Sequence, residues 1–296
     1  VGAAVVAGGC ASSARHDDEP HPVWPSPASP RVAHVMNIRS PRDLGEPGFF
    51  ERLGELIAGR TTQRLLRPTG VAAHSDGRVY VVDQERQGVH LFALGSPASQ
   101  FLARAGETYF VSPVDVALRS GEIVVSDSGL KRVFRFDLDG AYLGLLEKPG
   151  GWRRPTGMAY DPVADELYVV DTLANEVCVF DAENQLLRRF GAPGQAPGEF
   201  NFPTHVFVDR RQRVYVTDSL NFRVQALDRE GRYLFQIGEL GDATGYLAVP
   251  KGVAVDSFGH IYVVDSYFCS VQVFDEDGRL LLAVGGPGET DRKSTR

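Results

Sequence analysis

At the start of three repeated segments the chain reads Pro-x-Gly, at 68–70, 155–157 and 250–252, and at two more the same slot holds another residue. Pro113-Val114-Asp115 places a carboxylate there, and Pro203-Thr204-His205 an imidazole. Glycine in such a slot lets backbone approach closely. A carboxylate and an imidazole in its place are side chains that pass protons or bind metal ions. A zinc site normally takes three protein ligands, and His205 is the one histidine at this level. A polar, water-filled wall is therefore the plainer reading of the pair.

The other reactive residues are scattered. His16 and His21 lie in the first thirty residues, His34 just after them, and His74, His90 and His260 far apart. Cys10, Cys178 and Cys269 have no C-x-x-C spacing, and Cys178, inside an apolar run, is expected to be a buried free thiol, although an exported protein could pair it with Cys269. No G-x-S-x-G elbow, H-E-x-x-H pair, phosphate loop or EF-hand spacing occurs. The 296 residues are 43% hydrophobic and 23% charged, which is globular composition. A net charge of −7 argues against nucleic acid as a partner. No run of 18 apolar residues is present to span a membrane.

What positions Asp115 and His205 is a repeat. The runs RVYVVD (78–83), EIVVSD (122–127), ELYVVD (166–171), RVYVTD (213–218) and HIYVVD (260–265) are variants of one phrase. Each ends in an aspartate: Asp83, Asp127, Asp171, Asp218 and Asp265. The prolines that open the units, Pro68, Pro113, Pro155, Pro203 and Pro250, are 45, 42, 48 and 47 residues apart. A period in the forties with four short β-runs per unit predicts propeller blades. In the last unit the strands are expected at 252–256, 261–265, 271–275 and 279–285. Asp139-Gly140, Glu230-Gly231 and Asp277-Gly278 would close third turns. One blade cannot bury both its faces, and stacking blades around an axis does so.

The units resemble NHL repeats. The matching features are P-x-G-V-A, Y-V-V-D-S/T, R-V-x-x-F-D and the connector GAPGQAPGEFNFP, recurring over residues 68–285. The resemblance implies an all-β, six-bladed propeller of four-stranded antiparallel blades. Five blades are complete here and the sixth is incomplete. The outer strand of the sixth is expected at 31–38, and its inner three beyond Thr290.

The flanks carry other expectations. Residues 1–10, VGAAVVAGGC, read as a signal-peptide remnant, with AGGC resembling a bacterial lipobox and Cys10 as the lipidated residue; an apolar terminus with a chance cysteine is the alternative. Residues 11–30 are a proline-rich tether. The propeller is assigned to 31–290, with a short amphipathic helix at 49–58 capping an open face rather than lying on a membrane. Residues 291–296, DRKSTR, resemble a translated sequencing adapter.

In such a propeller the loops before strand one and after strand two share the face around the channel mouth. The five aspartates are expected to be structural, accepting N–H bonds from those loops, rather than forming a ring for cations. Arg132 and Arg223, at the start of third strands, either brace the loop against its Asp or make the rim basic. Among connector aromatics (Tyr109, Phe110, Trp152, Phe200, Phe202, Tyr246), Trp152 with Arg153, Tyr109 and Tyr246 are the expected partner contacts. Asp115 and His205 are the channel-mouth candidates.

The expected function is an envelope-anchored scaffold that binds a protein, peptide or glycan through this face. The chain is expected to be exported, monomeric and lipid-anchored, at the outer membrane or facing the periplasm. The alternative implied by the resemblance is a metal-dependent lyase or lactonase-like hydrolase at the channel mouth. It fits few residues: His205 is the one axial histidine where the lyase pattern needs several, and only Asp115 fits the lactonase pattern. No catalytic residue is assigned and no cofactor is expected; channel calcium or zinc belongs to the alternative. RNA binding, known for some NHL propellers, is opposed by the acidic charge and the export signal, and a basic, aromatic-studded loop face would revive it.

Overall fold

Every YVVD-type run becomes the second strand of a four-stranded antiparallel meander, and in blades 1 to 4 it is buried on both faces. Tyr80 and Val82 point one way and Val79 and Val81 the other, all shielded from solvent. That is why these strands are apolar throughout rather than alternating. The fourth strands of blades 3 and 4 do alternate: in Leu186–Phe190 the even positions are half-buried and Leu187 and Arg189 are exposed.

The computed structural model describes residues 64–286 except 95, 242 and 244, together with two short strands, Val23–Trp24 and Val32–Ala33. Within them lie five four-stranded sheets, each with its strands in sequence order. These blades span 68–102, 113–145, 155–190, 203–237 and 250–285. The last has strands Pro250–Val255, Ile261–Asp265, Ser270–Phe274 and Leu280–Gly285. The chain is an all-β propeller.

Four apolar cores glue each blade to the next. Tyr80, Val82, Phe134 and Phe136 fill the space between blades 1 and 2, and Val124, Met158, Leu167 and Phe180 that between blades 2 and 3. Tyr168, Val170, Val206 and Val216 join blades 3 and 4; Tyr215, Ala226, Val253 and Val263 join blades 4 and 5. Blade 5 differs on its far side. Tyr262 and Val264 are only half-buried there, whereas Tyr80, Val82, Tyr168, Val170, Tyr215 and Thr217 at the same positions are fully buried.

The third turns of blades 2 to 5 are built alike. The Asp ending strand three accepts two backbone N–H groups, as Asp137 does from Asp139 and Ala141. Gly140, Gly231 and Gly278 then adopt positive φ, near +87°, +85° and +77°. Two features fall outside the repeat pattern. A small hairpin, Arg104–Ala105 with Thr108–Tyr109, decorates the connector into blade 2. Val32–Ala33, within the segment expected as an outer blade strand, pairs antiparallel with Val23–Trp24 of the tether. Cys10, the helix at 49–58 and the terminal residues 291–296 lie outside the described residues.

Candidate functional site

The strand-two aspartates define one face of the molecule. Asp127 accepts N–H bonds from Val111 and Ser112, before strand one, and from Gly129 and Leu130, after strand two. Asp265 does the same with Ala248, Val249, Tyr267 and Phe268. Asp83 accepts from Leu66, Arg67 and Arg86. Asp171 accepts from Arg153 and Arg154, and Asp218 from Asn201. A carboxylate has enough lone pairs to serve both segments at once. In blades 1, 2, 4 and 5 the carboxylate thereby ties connector and loop into one corner, Asn221 Nδ2 supplying the loop bond in blade 4, while Asp171 holds its connector; the corners together form an upper face.

The second residue after each aspartate is the tip of its corner. The tips are Glu85, Gly129, Leu173, Leu220 and Tyr267. On three consecutive blades the tip is therefore a large apolar residue, 45%, 52% and 65% exposed. Tyr246 and Val249 stand exposed on the connector beside Tyr267, and Tyr109 on the connector into blade 2.

Trp152 does not belong to this surface. It is 8% exposed, packs against Phe180, and donates its indole N–H to Leu146 O at 3.0 Å. The expectation of a contact residue is corrected: the connector turns the indole inward because the apolar space between blades 2 and 3 needs filling. Arg153, next to it, is exposed. Beneath lies Lys148, a cation the repeat pattern did not signal. Its Nζ sits 2.6 Å from both Asp171 and Glu176, under the Trp152 ring.

The two third-strand arginines part company. Arg223 is buried, with its Nε 2.9 Å from Asp218 Oδ2. Arg132 faces its own Asp127 in register, but it is exposed and has no ion-pair partner among the described residues.

At the inner strands, the residues that break the Pro-x-Gly pattern meet over a glycine. Asp115 Oδ2 lies 4.0 Å from His205 Nδ1, with Gly157 of the blade between them. A Cβ on Gly157 would fall 2.6 Å from His205 Cα, and one on Gly70 would collide with the Asp115 carboxylate. Each glycine is room for its neighbour's side chain. The strand-two partners follow the same alternation: Ser126 opposite Asp115, Thr217 opposite His205, but Val82 opposite Gly70. Ser126 Oγ crosses to Thr156 O, whereas Thr217 Oγ1 is buried without a partner.

Burial raises the Asp115 pKa, opposed by His205 and by N–H bonds from Met158 and Val116. Those two N–H groups occupy one lone pair on each carboxylate oxygen. One such carboxylate and one imidazole do not make a zinc or calcium centre, and no cluster of three metal-ligating residues occurs among the described residues. The Cys178 thiol is buried and pushed up to about 12 by burial, so it is no nucleophile.

Residues 247–274 match the family model for the NHL repeat. Among solved structures, the chain is similar to one in a nidogen/laminin complex, at 20% identity and a TM-score of 0.62, over 77% of this chain and 82% of that one. A virginiamycin B lyase from Staphylococcus aureus aligns at 13% identity and a TM-score of 0.58, over 76% and 72%. A gluconolactonase from Xanthomonas campestris aligns at 19% and 0.53, over 67% and 69%. At these identities the likeness concerns the fold.

Proposed function

We propose that this NHL-repeat β-propeller is a binding scaffold whose upper loop face takes a protein or peptide partner, presented at the bacterial envelope by a lipid on Cys10. The observation that carries the reading is the row of Leu173, Leu220 and Tyr267 on three successive corners. Leaving large apolar side chains in water is unfavourable, and a contiguous set of them marks a surface that is covered in use. Leu173 and Leu220 are aliphatic, which suits a polypeptide better than a glycan. The similarity to a chain of a nidogen/laminin complex supports a propeller in such a role.

A photo-crosslinking residue at position 220 should capture a discrete partner in envelope preparations. Leu220→Asp with Tyr267→Asp should weaken that partner about 10- to 100-fold, about 1.4–2.8 kcal/mol. The melting temperature should hold, since both side chains are exposed. Undiminished affinity in the double variant would sink the reading. The lyase or lactonase alternative makes a different demand. Elemental analysis of the purified chain should find no stoichiometric calcium or zinc. A metal present one-to-one and lost in both Asp115→Ala and His205→Ala would move the function to the channel.

A further inference from the structure

We propose that the segment recognised by this face is an amphipathic peptide, acidic where it crosses blades 1 to 3 and apolar where it crosses blades 3 to 5. The proposal rests on the binding reading above and names the chemistry of the partner. Its basis is a division of the face that the composition hides, since the chain as a whole is acidic.

Over blades 1 to 3 the corners and connectors expose cations. Arg67 precedes strand one of blade 1, Lys131 and Arg132 follow the loop of blade 2, and Arg153 precedes blade 3. Among the described residues none of the four has an ion-pair or side-chain hydrogen-bond partner, so their charges can meet a ligand. Arg86 adds a fifth cation, held 3.9 Å from Asp83 with its Nε donating to Arg64 O. Exposed Glu85, Glu107 and Glu147 share this half, as do the apolar Leu66, Tyr109 and Val111, so the two halves differ in their cations more than in their apolar surface.

Over blades 4 and 5 the pattern inverts. Arg223 holds the register position of Arg132, yet it is sealed inside, donating to Asp218, Ala196, Glu199 and Gln236. Among the described residues, that half exposes Leu220, Leu240, Tyr246, Val249 and Tyr267, with Glu239 and Lys251 as exposed charges. Blade 3 joins the halves, with Arg153 and Leu173 on its two segments.

A carboxylate-bearing ligand complements the first half, because an exposed guanidinium presents a fork matched to carboxylate oxygens. An apolar run complements the second. Tyr109, Tyr246 and Tyr267 offer rings on which bases could stack, but a nucleic-acid strand would need cations along its whole path, and blades 4 and 5 expose Lys251 beside Glu239. The charged half would steer and orient the peptide, and the apolar half would supply most of the affinity.

The test uses the full chain and three fluorescent peptides. One has four consecutive acidic residues followed by a Leu- and Tyr-rich half; the others replace the acids with Ser or with Lys. The acidic peptide should bind about tenfold tighter than the Ser peptide, and the Lys peptide more weakly than either. The advantage should shrink as salt screens the charges. Arg67→Glu with Arg132→Glu should erase that advantage and leave the Ser peptide unaffected, whereas Leu220→Asp with Tyr267→Asp should weaken both. Equal binding of acidic and Ser peptides, or indifference to the charge reversals, overturns the inference and leaves the binding reading standing. Failure of every peptide, with no partner crosslinked at 220, defeats both. Tighter binding of single-stranded poly(U) RNA, abolished by the same charge reversals, would also overturn it and assign the basic half to nucleic acid.

Discussion

Asp127→Ala should lower the stability of the propeller by about 4 kcal/mol or more. The Asp127 side chain is fully buried, and four backbone N–H groups point at it: Val111 at 2.8 Å, Ser112 at 3.1 Å, and Gly129 and Leu130 at 2.9 Å. Alanine leaves these donors facing a void, and each unsatisfied group costs about 1–3 kcal/mol unless water reaches it. The corner is part-buried, so some donors recover solvent, which holds the expected loss toward the lower end of the summed range. Asp127→Asn keeps the shape but offers a single acceptor oxygen, so it should fall between wild type and alanine. Asp277→Ala is the control. It removes an exposed turn carboxylate paired with Arg279, a change expected to cost less than about 1 kcal/mol. Urea midpoints compare the three variants. If Asp127→Ala melts with Asp277→Ala, the corner is held by something other than its aspartate.

The second large effect is a loss of stability in mild acid through His90. Its ring is buried between Phe92 and Phe101, centroids 5.5 and 4.6 Å away. Neither ring nitrogen has a hydrogen-bond partner, and Asp83 Oδ2 stands 3.6 Å from Nε2, beyond bonding distance. Burial pulls the His90 pKa down from 6.5 to about 4, against the pull of Asp83. The folded chain therefore keeps the imidazole neutral where the unfolded chain protonates it. Stability is full above pH 6.5, declines as pH falls toward 4, and levels off below that. At 1.36 kcal/mol per pH unit the decline reaches about 3 kcal/mol.

His90→Phe should flatten the decline, because Phe134 fills the equivalent position in blade 2: it faces Val125 as His90 faces Val81. Glu166 acts in a different window. Its burial is outweighed by bonds from Arg188, Arg229 and Tyr168, which hold it at about 2 from 4.5, so its contribution disappears only below pH 4.5. Thermal melts at pH 7, 5.5 and 4.5 separate the two groups. An unchanged slope in His90→Phe above pH 4.5 would discard the explanation.

Much of the architecture was legible in the residues. The strand-two runs, the closing aspartates and the Asp-Gly turns repeat because every blade solves the same local problem. Each must pair four short strands, bury two faces and return the chain to the axis. Period and turn chemistry are local properties, so they can be read without a fold. The alternation of Gly70, Asp115, Gly157, His205 and Gly252 was also legible, and it marked the two side chains that the structure brings within 4.0 Å of each other.

The upper face was not legible in this way, because exposure depends on what folds over a residue. Arg132 and Arg223 have the same place in the repeat. The connector before blade 4 folds down so that Ala196 and Glu199 offer carbonyls to Arg223, whereas Arg132 reaches into water. Trp152 sits among glycines in a connector that reads as surface. Lys148 and Phe180, a sheet away, draw its ring inward. The residues alone determined a series of repeated four-stranded blades and the strand-two aspartate that anchors each one. Which side chains those corners hide and which they present was decided by packing between segments distant in sequence, since burial is a property of neighbours that the chain acquires only on folding.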